Sequence, residues 1–264
     1  MKTVLTIAGS DCSGGAGIQA DLKTITAHKM YGMSAITALT AQNTLSVFEV
    51  MNVTPEFVGR QLDSIFTDIY PDAIKIGMVS SQEIIEVIAE KLSQYRKEDN
   101  LTPIVLDPVM ISTSGKALID DKAMDALRNR LIPMADMITP NIQEAEVLTG
   151  LSIRTTEEMI EAAAKIGMFY KGSILIKGGH LVDKADDLLY QKGDVFWFEA
   201  KRIGTKERHG TGCTLSSAIA CHLASGLDSQ TAVGYAKAYV AGALKTDSYL
   251  GNGSHPIDHT YNIR

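Results

Sequence analysis

The sequence predicts a doubly wound α/β domain, in which a mostly parallel central sheet carries helices on both faces and an antiparallel hairpin at one edge. Three observations predict this fold class. Short apolar segments rich in valine, isoleucine and leucine are continuous rather than alternating, as expected for strands buried on both faces. Segments with apolar residues at three- and four-residue spacing, typical of amphipathic helices, lie between them. From residue 3 to about residue 180 the two kinds of segment alternate, which favours right-handed crossover connections.

The predicted elements follow this alternation. The strands are Val4–Ala8, Ser34–Thr40, Ala73–Ile76, Ile104–Leu106, Met137–Thr139 and Ile174–Ile176. The helices are Ile18–His28, Glu56–Ile69, Gln82–Arg96, Lys122–Leu131, Glu157–Tyr170, Thr214–Ala224 and Gln230–Thr246. Two helix starts are marked by Thr54-Pro55 and by Ser81, because these residue types favour the N-cap and the first helical position.

The stretch from Asp187 to Ile203 breaks the alternation. Leu188–Gln191 and Val195–Glu199 are short β-prone segments separated by Lys192-Gly193-Asp194, which predicts a hairpin at an antiparallel edge of the sheet. The sequence contains no internal repeat and no linker rich in proline or glycine. Residues 1–264 are therefore interpreted as a single domain.

Charge and composition exclude several classes of partner. The net charge is −6 and the basic residues form no run, so neither nucleic acid nor an anionic membrane is expected as a partner. The first apolar run, Val4–Ala8, is too short for a signal-peptide core or a membrane span, and a cytoplasmic location is expected. Cys12, Cys213 and Cys221 form no disulfide or metal pattern and are expected to be reduced. Cys221 is expected to pack in the core.

Glycine clusters follow the strands where a ligand is expected, beyond the carboxyl ends of the sheet. Gly15–Ala20 fits a dinucleotide fingerprint of the GxGxxA type, which would indicate a dehydrogenase. No ribose-binding acid follows at the end of the second strand, where the sequence is Thr40-Ala41-Gln42-Asn43, so a tight turn against a substrate is favoured. The sequence contains no Walker A motif, which excludes a P-loop NTPase.

The second cluster, His209-Gly210-Thr211-Gly212-Cys213, leads into an apolar helical segment. The first N–H groups of such a helix converge on one point, where the helix dipole favours negative charge, and they can stabilise a transferring phosphoryl group. A thiol at this position is expected to have a lowered pKa, so Cys213 could accept or hydrogen-bond a hydroxyl proton. Alternatively, Cys213 packs at a helix start that the glycines only cap. The residue pattern by itself leaves both interpretations open.

Several sequence blocks together carry a family resemblance. They are Leu5–Asp11, Gly14–Lys23, Ala41–Thr44, Lys75–Met78, Asp107–Met110, Thr139–Asn141 with Glu144–Glu146, Lys177–His180 and His209–Thr214. In their order and spacing the chain resembles the hydroxymethylpyrimidine/phosphomethylpyrimidine kinases of thiamine synthesis, in the ribokinase-like superfamily. The resemblance implies a ribokinase-like fold and an ATP-dependent kinase. Its substrates would be hydroxymethylpyrimidine and then the resulting monophosphate, both phosphorylated at one site.

The resemblance also implies roles for individual residues. The anion hole would consist of Gly210, Thr211 and Gly212, with Cys213 where most ribokinase-like enzymes have an aspartate base. Gln42 would pair with the aminopyrimidine edge, since its amide offers both a donor and an acceptor; alternatively it caps a strand end. The same pocket would be lined by Gly9, Asp21, Met78 and Val109.

For the nucleotide, the resemblance implies phosphate contacts from Asn141, Glu144, Lys177 and Thr211. Mg²⁺ would be held by Glu144 and Asp107, mostly through water. Asn141 and Glu144 also fit a helix capping box, and Lys177 could be merely solvated. Residues 112–116 resemble a lid that excludes water, or else form a plain surface turn. The family suggests a homodimer.

Two rival functions remain. Some bacterial members of the same branch are pyridoxal kinases, which share the Gly-Cys ending of the anion loop. Those relatives typically have an apolar residue in place of Gln42 and a cysteine in the lid, whereas residues 110–114 here read Met-Ile-Ser-Thr-Ser. A non-catalytic binding protein is the second rival. The sequence contains the acidic, amide, lysine and anion-loop residues together, and this favours an enzyme.

Overall fold

The computed structural model describes residues 1–96, 102–110, 119–178, 186–199, 208–246 and 249–263. Within this part of the chain, nine strands form one sheet in the order β3-β2-β1-β4-β5-β6-β7-β8-β9. The strands are β1 (Thr3–Asp11), β2 (Tyr31–Gln42), β3 (Val47–Asn52), β4 (Ala73–Ile76), β5 (Ile104–Leu106), β6 (Met137–Ile138), β7 (Ser173–Ile176), β8 (Asp187–Gln191) and β9 (Asp194–Phe198).

The direction of the strands confirms the predicted architecture. From β2 through β7 all neighbouring strands are parallel, whereas β3 at one edge and the β8–β9 hairpin at the other are antiparallel. Because β1 pairs with β2 on one side and with β4 on the other, the order of connection reverses at β1. Ligand sites of doubly wound sheets lie at such a reversal, beyond the carboxyl ends of the strands.

Eight α-helices cover the two faces of the sheet in the described residues. They are α1 (Gly17–Ala27), α2 (Pro55–Phe66), α3 (Gln82–Tyr95), α4 (Asp121–Ala126), α5 (Ile142–Thr149), α6 (Thr156–Gly167), α7 (Thr211–Ala224) and α8 (Ser229–Lys245). Thr54 and Ser81 cap α2 and α3 through their side chains, as predicted. None of these described helices has both the length and the apolar character needed to cross a lipid bilayer.

Successive side chains of each strand enter two separate cores. Leu5 and Ile7 of β1 contribute to the core beneath α2 to α6, whereas Val4 contributes to the core beneath α1, α7 and α8. Strand residues point alternately to opposite faces, so continuous apolar strands supply both cores at once. This double burial is the physical reason for the continuous apolar runs in the sequence.

Strand β3 and helix α5 are absent from the predicted elements, although a capping box at the start of α5 was one interpretation of Asn141 and Glu144, and one predicted helix is irregular. Strand β3 is exposed along most of its length, so it shows no buried periodicity. Helix α5 has only eight residues, about two turns, which is too short for a clear helical repeat. The predicted helix Lys122–Leu131 is α-helical only to Ala126 and continues as a π-helical turn at Leu127–Leu131.

Candidate active site

Gly9, near the carboxyl end of β1, and Met78, the second residue after β4, meet where the connection order reverses. A Cβ on Gly9 would lie 2.6 Å from Met78 Cε, so a larger residue would require the Met78 side chain to move. Thr37 of β2 also bonds to this segment, since its hydroxyl donates to the Met78 carbonyl at 2.9 Å. Met78 and Val109, both predicted to line the pocket, are partly exposed beyond their strands.

Asp11, the last residue of β1, folds the first glycine loop around its own carboxylate. Its two oxygens accept hydrogen bonds from the N–H groups of Ser13, Gly15 and Ala16 at 2.8 to 3.0 Å and from the Ser13 hydroxyl at 2.7 Å. These N–H groups are therefore already bonded within the protein. The loop is a tight turn and not the pyrophosphate cradle of a dinucleotide fold, so the structure removes the dehydrogenase alternative.

The second glycine loop rests on the first. Gly210, the N-cap of α7, has φ +83°, and a Cβ there would lie 1.9 Å from the Gly15 carbonyl oxygen. The first intrahelical hydrogen bond of α7 is donated by the Thr214 N–H to the Gly210 carbonyl at 2.9 Å. The N–H groups of Thr211, Gly212 and Cys213 precede it and have no carbonyl to bond within the helix. This end of α7 therefore offers the anion-binding geometry that the sequence predicted.

Cys213 lies in the first turn of α7 and is partly exposed. Burial raises the pKa of its thiol to about 11; Asp21 and Asp107 act in the same direction, whereas Lys75 and the Gly17 N–H oppose them. The expectation of a lowered pKa is therefore wrong, because burial and two carboxylates outweigh Lys75 and the Gly17 N–H. At neutral pH the resting group is a thiol.

Lys177 and Asp107 form an ion pair beside this helix end. Lys177 Nζ lies 2.7 Å from Asp107 Oδ1, which also accepts a hydrogen bond from the Thr139 hydroxyl at 3.1 Å. A Cβ built on Gly212 would lie 3.4 Å from Lys177 Nζ, so the ammonium faces the start of α7. Although burial opposes it, Asp107 and Glu144 raise the pKa of Lys177. The lysine is thus a cation at the predicted phosphate position.

Asn141 and Glu144 form the capping box of α5. The Asn141 side chain accepts from the Glu144 N–H at 2.9 Å, and Glu144 Oε2 accepts from the Asn141 N–H at 2.8 Å. Burial raises the pKa of Glu144 to about 7, Lys177 opposes this, and Asp107 adds to it. The capping interpretation is confirmed, and the Met110 N–H also hydrogen-bonds this carboxylate and lowers its pKa.

The donor set of this region fits a hydrated divalent cation. Asp107 and Glu144 are both buried, Asp107 raises the pKa of Glu144, and both carboxylates raise the pKa of Lys177. Oxygen donors with an excess of negative charge suit Mg²⁺, which keeps most of its water ligands. No group of three or more His, Cys, Asp or Glu residues is placed to hold a metal within the described residues.

Gln42 lies at the opposite side of the loops, at the end of β2. One of its terminal amide atoms lies 2.9 Å from His209 Nε2, and that same ring nitrogen lies 2.9 Å from Asp11 Oδ2. The other amide atom lies 3.2 Å from the Thr40 hydroxyl. Gln42 is half-buried, and its amide is held beside the glycine loops.

Asp21 and Lys75 form an ion pair beneath the site. Neither side chain has exposed surface, and Lys75 Nζ lies 2.8 Å from Asp21 Oδ2. Asp21 also accepts from the Thr6 and Ser217 hydroxyls at 2.6 and 2.7 Å. A ligand contact for Asp21 stays a prediction, because its carboxylate is enclosed here.

Sequence reasoning assigned no role to three residues around the site, Asp11, His209 and Lys75, although each lies in a sequence block that carries the family resemblance. Asp11 and His209 are 198 residues apart in the chain, so no local pattern indicated their contact. A lysine inside the apolar strand Ala73–Ile76 was a usable signal, since a lysine buried in a strand needs a carboxylate partner. The predicted lid at residues 112–116 lies outside the described residues.

Comparison with known proteins gives a consistent group of relatives. The sequence model of a family described as phosphomethylpyrimidine kinase matches residues 11–258. A hydroxymethylpyrimidine/phosphomethylpyrimidine kinase from Rhizobium meliloti is 46% identical over 259 residues, covering 97% of this chain and 96% of that protein. A thiamine biosynthesis bifunctional protein from Geobacter sulfurreducens is also 46% identical over 258 residues. The chain spans 52% of the length of this bifunctional relative.

Solved structures show the same fold. A phosphomethylpyrimidine kinase from Clostridium difficile 630 has a TM-score of 0.83 and 45% identity, covering 93% of this chain and 100% of that one. A pyridoxal kinase from Staphylococcus aureus in complex with AMP-PCP and pyridoxal has a TM-score of 0.89 and 36% identity, covering 100% of this chain and 95% of that one. Fold similarity is thus high to both kinds of kinase, whereas sequence identity is higher to the pyrimidine kinases.

Proposed function

The chain belongs to the phosphomethylpyrimidine kinase family, and from this membership we propose that it phosphorylates hydroxymethylpyrimidine and then its monophosphate, for thiamine synthesis. The phosphate donor is ATP. The observation that carries the proposal is the position of the Lys177 ammonium beside the first turn of α7, which contains Cys213 and N–H groups without an acceptor in the helix. These groups suit a transferring phosphoryl group that meets a hydroxyl acceptor.

Each residue has a distinct task in the proposed transfer. The acceptor oxygen attacks the γ-phosphorus, the bond to the β,γ-bridging oxygen breaks, and ADP leaves. The N–H groups of Gly212 and Cys213 stabilise the equatorial oxygens, and Lys177 neutralises charge that moves from donor to acceptor. The hydroxyl proton of the first substrate passes to Cys213, which must therefore be a thiolate when the proton moves.

The nucleotide end of the site consists of Asn141, Glu144, Asp107 and the Thr211 hydroxyl. We propose that Glu144 and Asp107 hold Mg²⁺ mainly through its water ligands, since the two buried carboxylates lie close enough for Asp107 to raise the pKa of Glu144. Bound there, the cation neutralises the phosphates of the nucleotide. Asn141, the N-cap of α5, lies beside Lys177 in a parallel bridge and orients the same phosphates.

The acceptor end favours an aminopyrimidine. The amide of Gln42 supplies a donor and an acceptor side by side, which matches an amino group next to a ring nitrogen. Gly9, Met78 and Val109 supply the apolar surface against which such a ring packs. A pyridoxal kinase is the second candidate, favoured by the TM-score of 0.89 to the Staphylococcus aureus enzyme.

A substrate panel tests the proposal. Purified protein with ATP and Mg²⁺ is given hydroxymethylpyrimidine, its monophosphate, pyridoxal or no acceptor, and the phosphorylated products are identified by mass. We expect the monophosphate and then the diphosphate of the pyrimidine, with a kcat/KM for pyridoxal at least tenfold lower. Efficient phosphorylation of pyridoxal alone would support the second candidate. ADP release no faster than without an acceptor would refute both and favour a binding protein.

We propose that the chain forms a homodimer through the exposed apolar surface around β3. Large apolar side chains of β2 and β3 and of the turn between them are between 40% and 69% exposed: Leu39, Leu45, Phe48, Val50 and Met51. Leu39 and Met51 are paired on one face of this sheet edge, and Phe48 and Val50 lie on the other. Exposed apolar side chains at such an edge are common in interaction sites. Sedimentation of the wild type should give twice the mass of one chain, and Phe48→Lys should reduce this to the mass of one chain. A cytoplasmic location stays a prediction.

A further inference from the structure

Three side chains from different segments meet beside the acceptor pocket. Asp11 ends β1, Gln42 ends β2 and His209 precedes α7. A single atom, His209 Nε2, lies 2.9 Å from both Asp11 Oδ2 and a terminal amide atom of Gln42. A Cβ on Gly15 would lie 2.4 Å from His209 Cδ2, so the first glycine loop packs directly against the imidazole. The ring is thus fixed on two sides.

The position of the proton on His209 follows from Asp11. Although burial opposes it, hydrogen bonds from His209, Ser13 and the Ala16 N–H hold the pKa of Asp11 at about 2. Asp11 is therefore a carboxylate at neutral pH and can only accept hydrogen bonds. At 2.9 Å from that carboxylate, Nε2 must carry the proton, in either the neutral or the charged form of the ring.

The orientation of the Gln42 amide follows from His209. The structure has the Gln42 amide nitrogen 2.9 Å from Nε2 and the amide oxygen toward Thr40. Because Nε2 is a donor, two donors would face each other in that orientation, so the amide takes the reversed one, in which its oxygen accepts from the N–H that Nε2 also donates to Asp11. The amide nitrogen then faces the Thr40 hydroxyl at 3.2 Å and donates to it. Thr40 can accept, since its own proton is donated to the Ser10 carbonyl at 3.0 Å. Every group in this chain of hydrogen bonds then has a consistent role.

We propose that Asp11 and His209 are positioning residues that hold the Gln42 amide in one orientation, and so fix which side of the pocket donates and which accepts. This inference rests on the proposed function. The free lone pair of the amide oxygen and the second N–H of the amide nitrogen remain for the substrate. An aromatic heterocycle with an amino group beside an acceptor nitrogen matches this order. A ring without an amino group beside an acceptor nitrogen leaves either the Gln42 amide oxygen or the second N–H of its amide nitrogen without a hydrogen bond.

Binding measurements on His209 variants test the inference without turnover. The Kd of hydroxymethylpyrimidine is measured by calorimetry in the absence of nucleotide. We expect His209→Phe, which keeps the ring shape, to weaken binding about tenfold to a hundredfold, the range for a lost polar partner. His209→Gln places an amide N–H near the position of Nε2 and should restore most of the affinity. In turnover, His209→Phe should raise KM for the pyrimidine and leave kcat nearly unchanged.

A double-mutant cycle separates positioning from a direct role. If His209 acts through Gln42, the combined variant His209→Phe with Gln42→Ala should bind no more weakly than Gln42→Ala alone. Additive losses would overturn the inference. His222→Phe replaces a histidine near the other end of α7 and serves as the matched control, with unchanged pyrimidine affinity.

Nitrogen NMR of the free protein provides a test that is independent of substrate identity. We expect the His209 ring to carry its proton on Nε2, and Asp11→Asn to change this signature. A neutral ring protonated on Nδ1 alone would overturn the inference even if the pyrimidine is the substrate. A wild-type protein that binds no pyrimidine would instead refute the proposed function, together with the specificity that depends on it.

Discussion

Opposing influences act on the thiol of Cys213. The Lys75 ammonium and the first turn of α7 favour the thiolate, whereas burial, Asp21 and Asp107 favour the neutral thiol. The second group dominates and gives a pKa of about 11. At pH 7 only about one molecule in ten thousand then carries the thiolate. A base of this kind is scarce but strong, because each thiolate has a high proton affinity.

Replacing the sulphur tests whether it removes the acceptor proton. Cys213→Ala should lower kcat about a hundredfold to ten-thousandfold, the range for general base catalysis, and leave pyrimidine affinity within threefold. Cys221→Ala is the matched control, since Cys221 lies in the same helix but is buried in the core. It should lower the melting temperature and keep kcat. Wild-type turnover in Cys213→Ala would exclude the proposed role.

The pH profile distinguishes a thiolate base from a thiol that only donates a hydrogen bond. With a pKa of about 11, the thiolate fraction rises tenfold for each pH unit across the neutral range. We therefore expect kcat for the first phosphorylation to increase between pH 7 and 9. Cys213→Asp should lose this increase, because an aspartate is already ionised. A flat wild-type profile would favour the neutral thiol.

Glu144 is a buried carboxylate whose ionisation should lower the stability of the fold. Its pKa rises from 4.5 to about 7, so between these values the folded protein binds a proton that the unfolded chain has released. The free energy of unfolding therefore falls as pH increases through this window. Glu144→Gln keeps a side chain suited to the capping box and removes this loss. We expect its melting temperature to exceed that of the wild type by a few degrees at pH 8 and by less at pH 5.

The second capping box supplies the control for Glu144. Glu158 closes the same arrangement with Thr155 at the start of α6, but its side chain is partly exposed. Glu158→Gln should change the melting temperature by a similar small amount at both pH values. If Glu144→Gln is also insensitive to pH, the buried carboxylate does not titrate as described. Activity of Glu144→Gln should fall, since the carboxylate is proposed to hold Mg²⁺.

At the scale of single residues, the sequence predicted those parts of the candidate site whose pattern lies within one continuous segment. The loop from Gly210 to Cys213, the capping pair Asn141 and Glu144, and Lys177 at a strand end all belong to this kind. Contacts between distant segments were beyond its reach. His209 bonds to Asp11 and Gln42 across more than 160 residues, and no propensity or spacing encodes such a pairing.

At the scale of elements, the two ends of α7 provide a matched pair of glycines. Gly210 and Gly226 both have φ +83°, but a Cβ on Gly226 meets no atom within 4 Å, whereas one on Gly210 meets the Gly15 carbonyl. Both alanine variants should lose about 1–2 kcal/mol from left-handed backbone strain. Gly210→Ala should lose more in unfolding experiments, and kcat should fall at least tenfold, because the anion loop must move off the first glycine loop.

The control for Gly210→Ala is the activity of Gly226→Ala. Gly226→Ala should keep the wild-type kcat despite its strain, since it lies at the far end of the helix. Equal losses of activity in both variants would mean that strain in α7, and not contact between the glycine loops, governs turnover.

Strands that are buried on both faces were easier to predict from the sequence than the exposed strand. Strands β1 and β4 to β7 are covered on both faces, and their sequences are mostly apolar without alternation, apart from residues such as Lys75 in β4. The exposed strand β3 exists because it pairs with the end of β2, from Ala38 opposite Asn52 to Gln42 opposite Val47. That pairing depends on both segments, so the residues of β2 or of β3 taken separately did not indicate it.

At the scale of the whole molecule, one buried ion pair joins four elements below the site. Asp21 of α1 accepts from Lys75 of β4, Thr6 of β1 and Ser217 of α7. The alternation of apolar strands and helices predicted the sheet and its two layers. It did not predict this polar centre, because Lys75 occupies a strand position at which apolar residues are the rule.

Removing one partner of this pair should be more costly than removing both. Lys75→Met leaves the Asp21 carboxylate buried without its cation, and we expect it to lower the free energy of unfolding by about 3–5 kcal/mol in urea titrations. Combining it with Asp21→Leu removes the uncompensated charge and should recover part of that loss. Lys91→Met, at an ion pair with Asp63 that is partly exposed, should cost about 0–1 kcal/mol. A loss of unfolding free energy for Lys75→Met as small as that of Lys91→Met would mean that Thr6 and Ser217 alone hold Asp21.

Lys75 also lowers the pKa of Cys213. Thiol titration of Lys75→Met should therefore give a higher pKa for Cys213 than in the wild type.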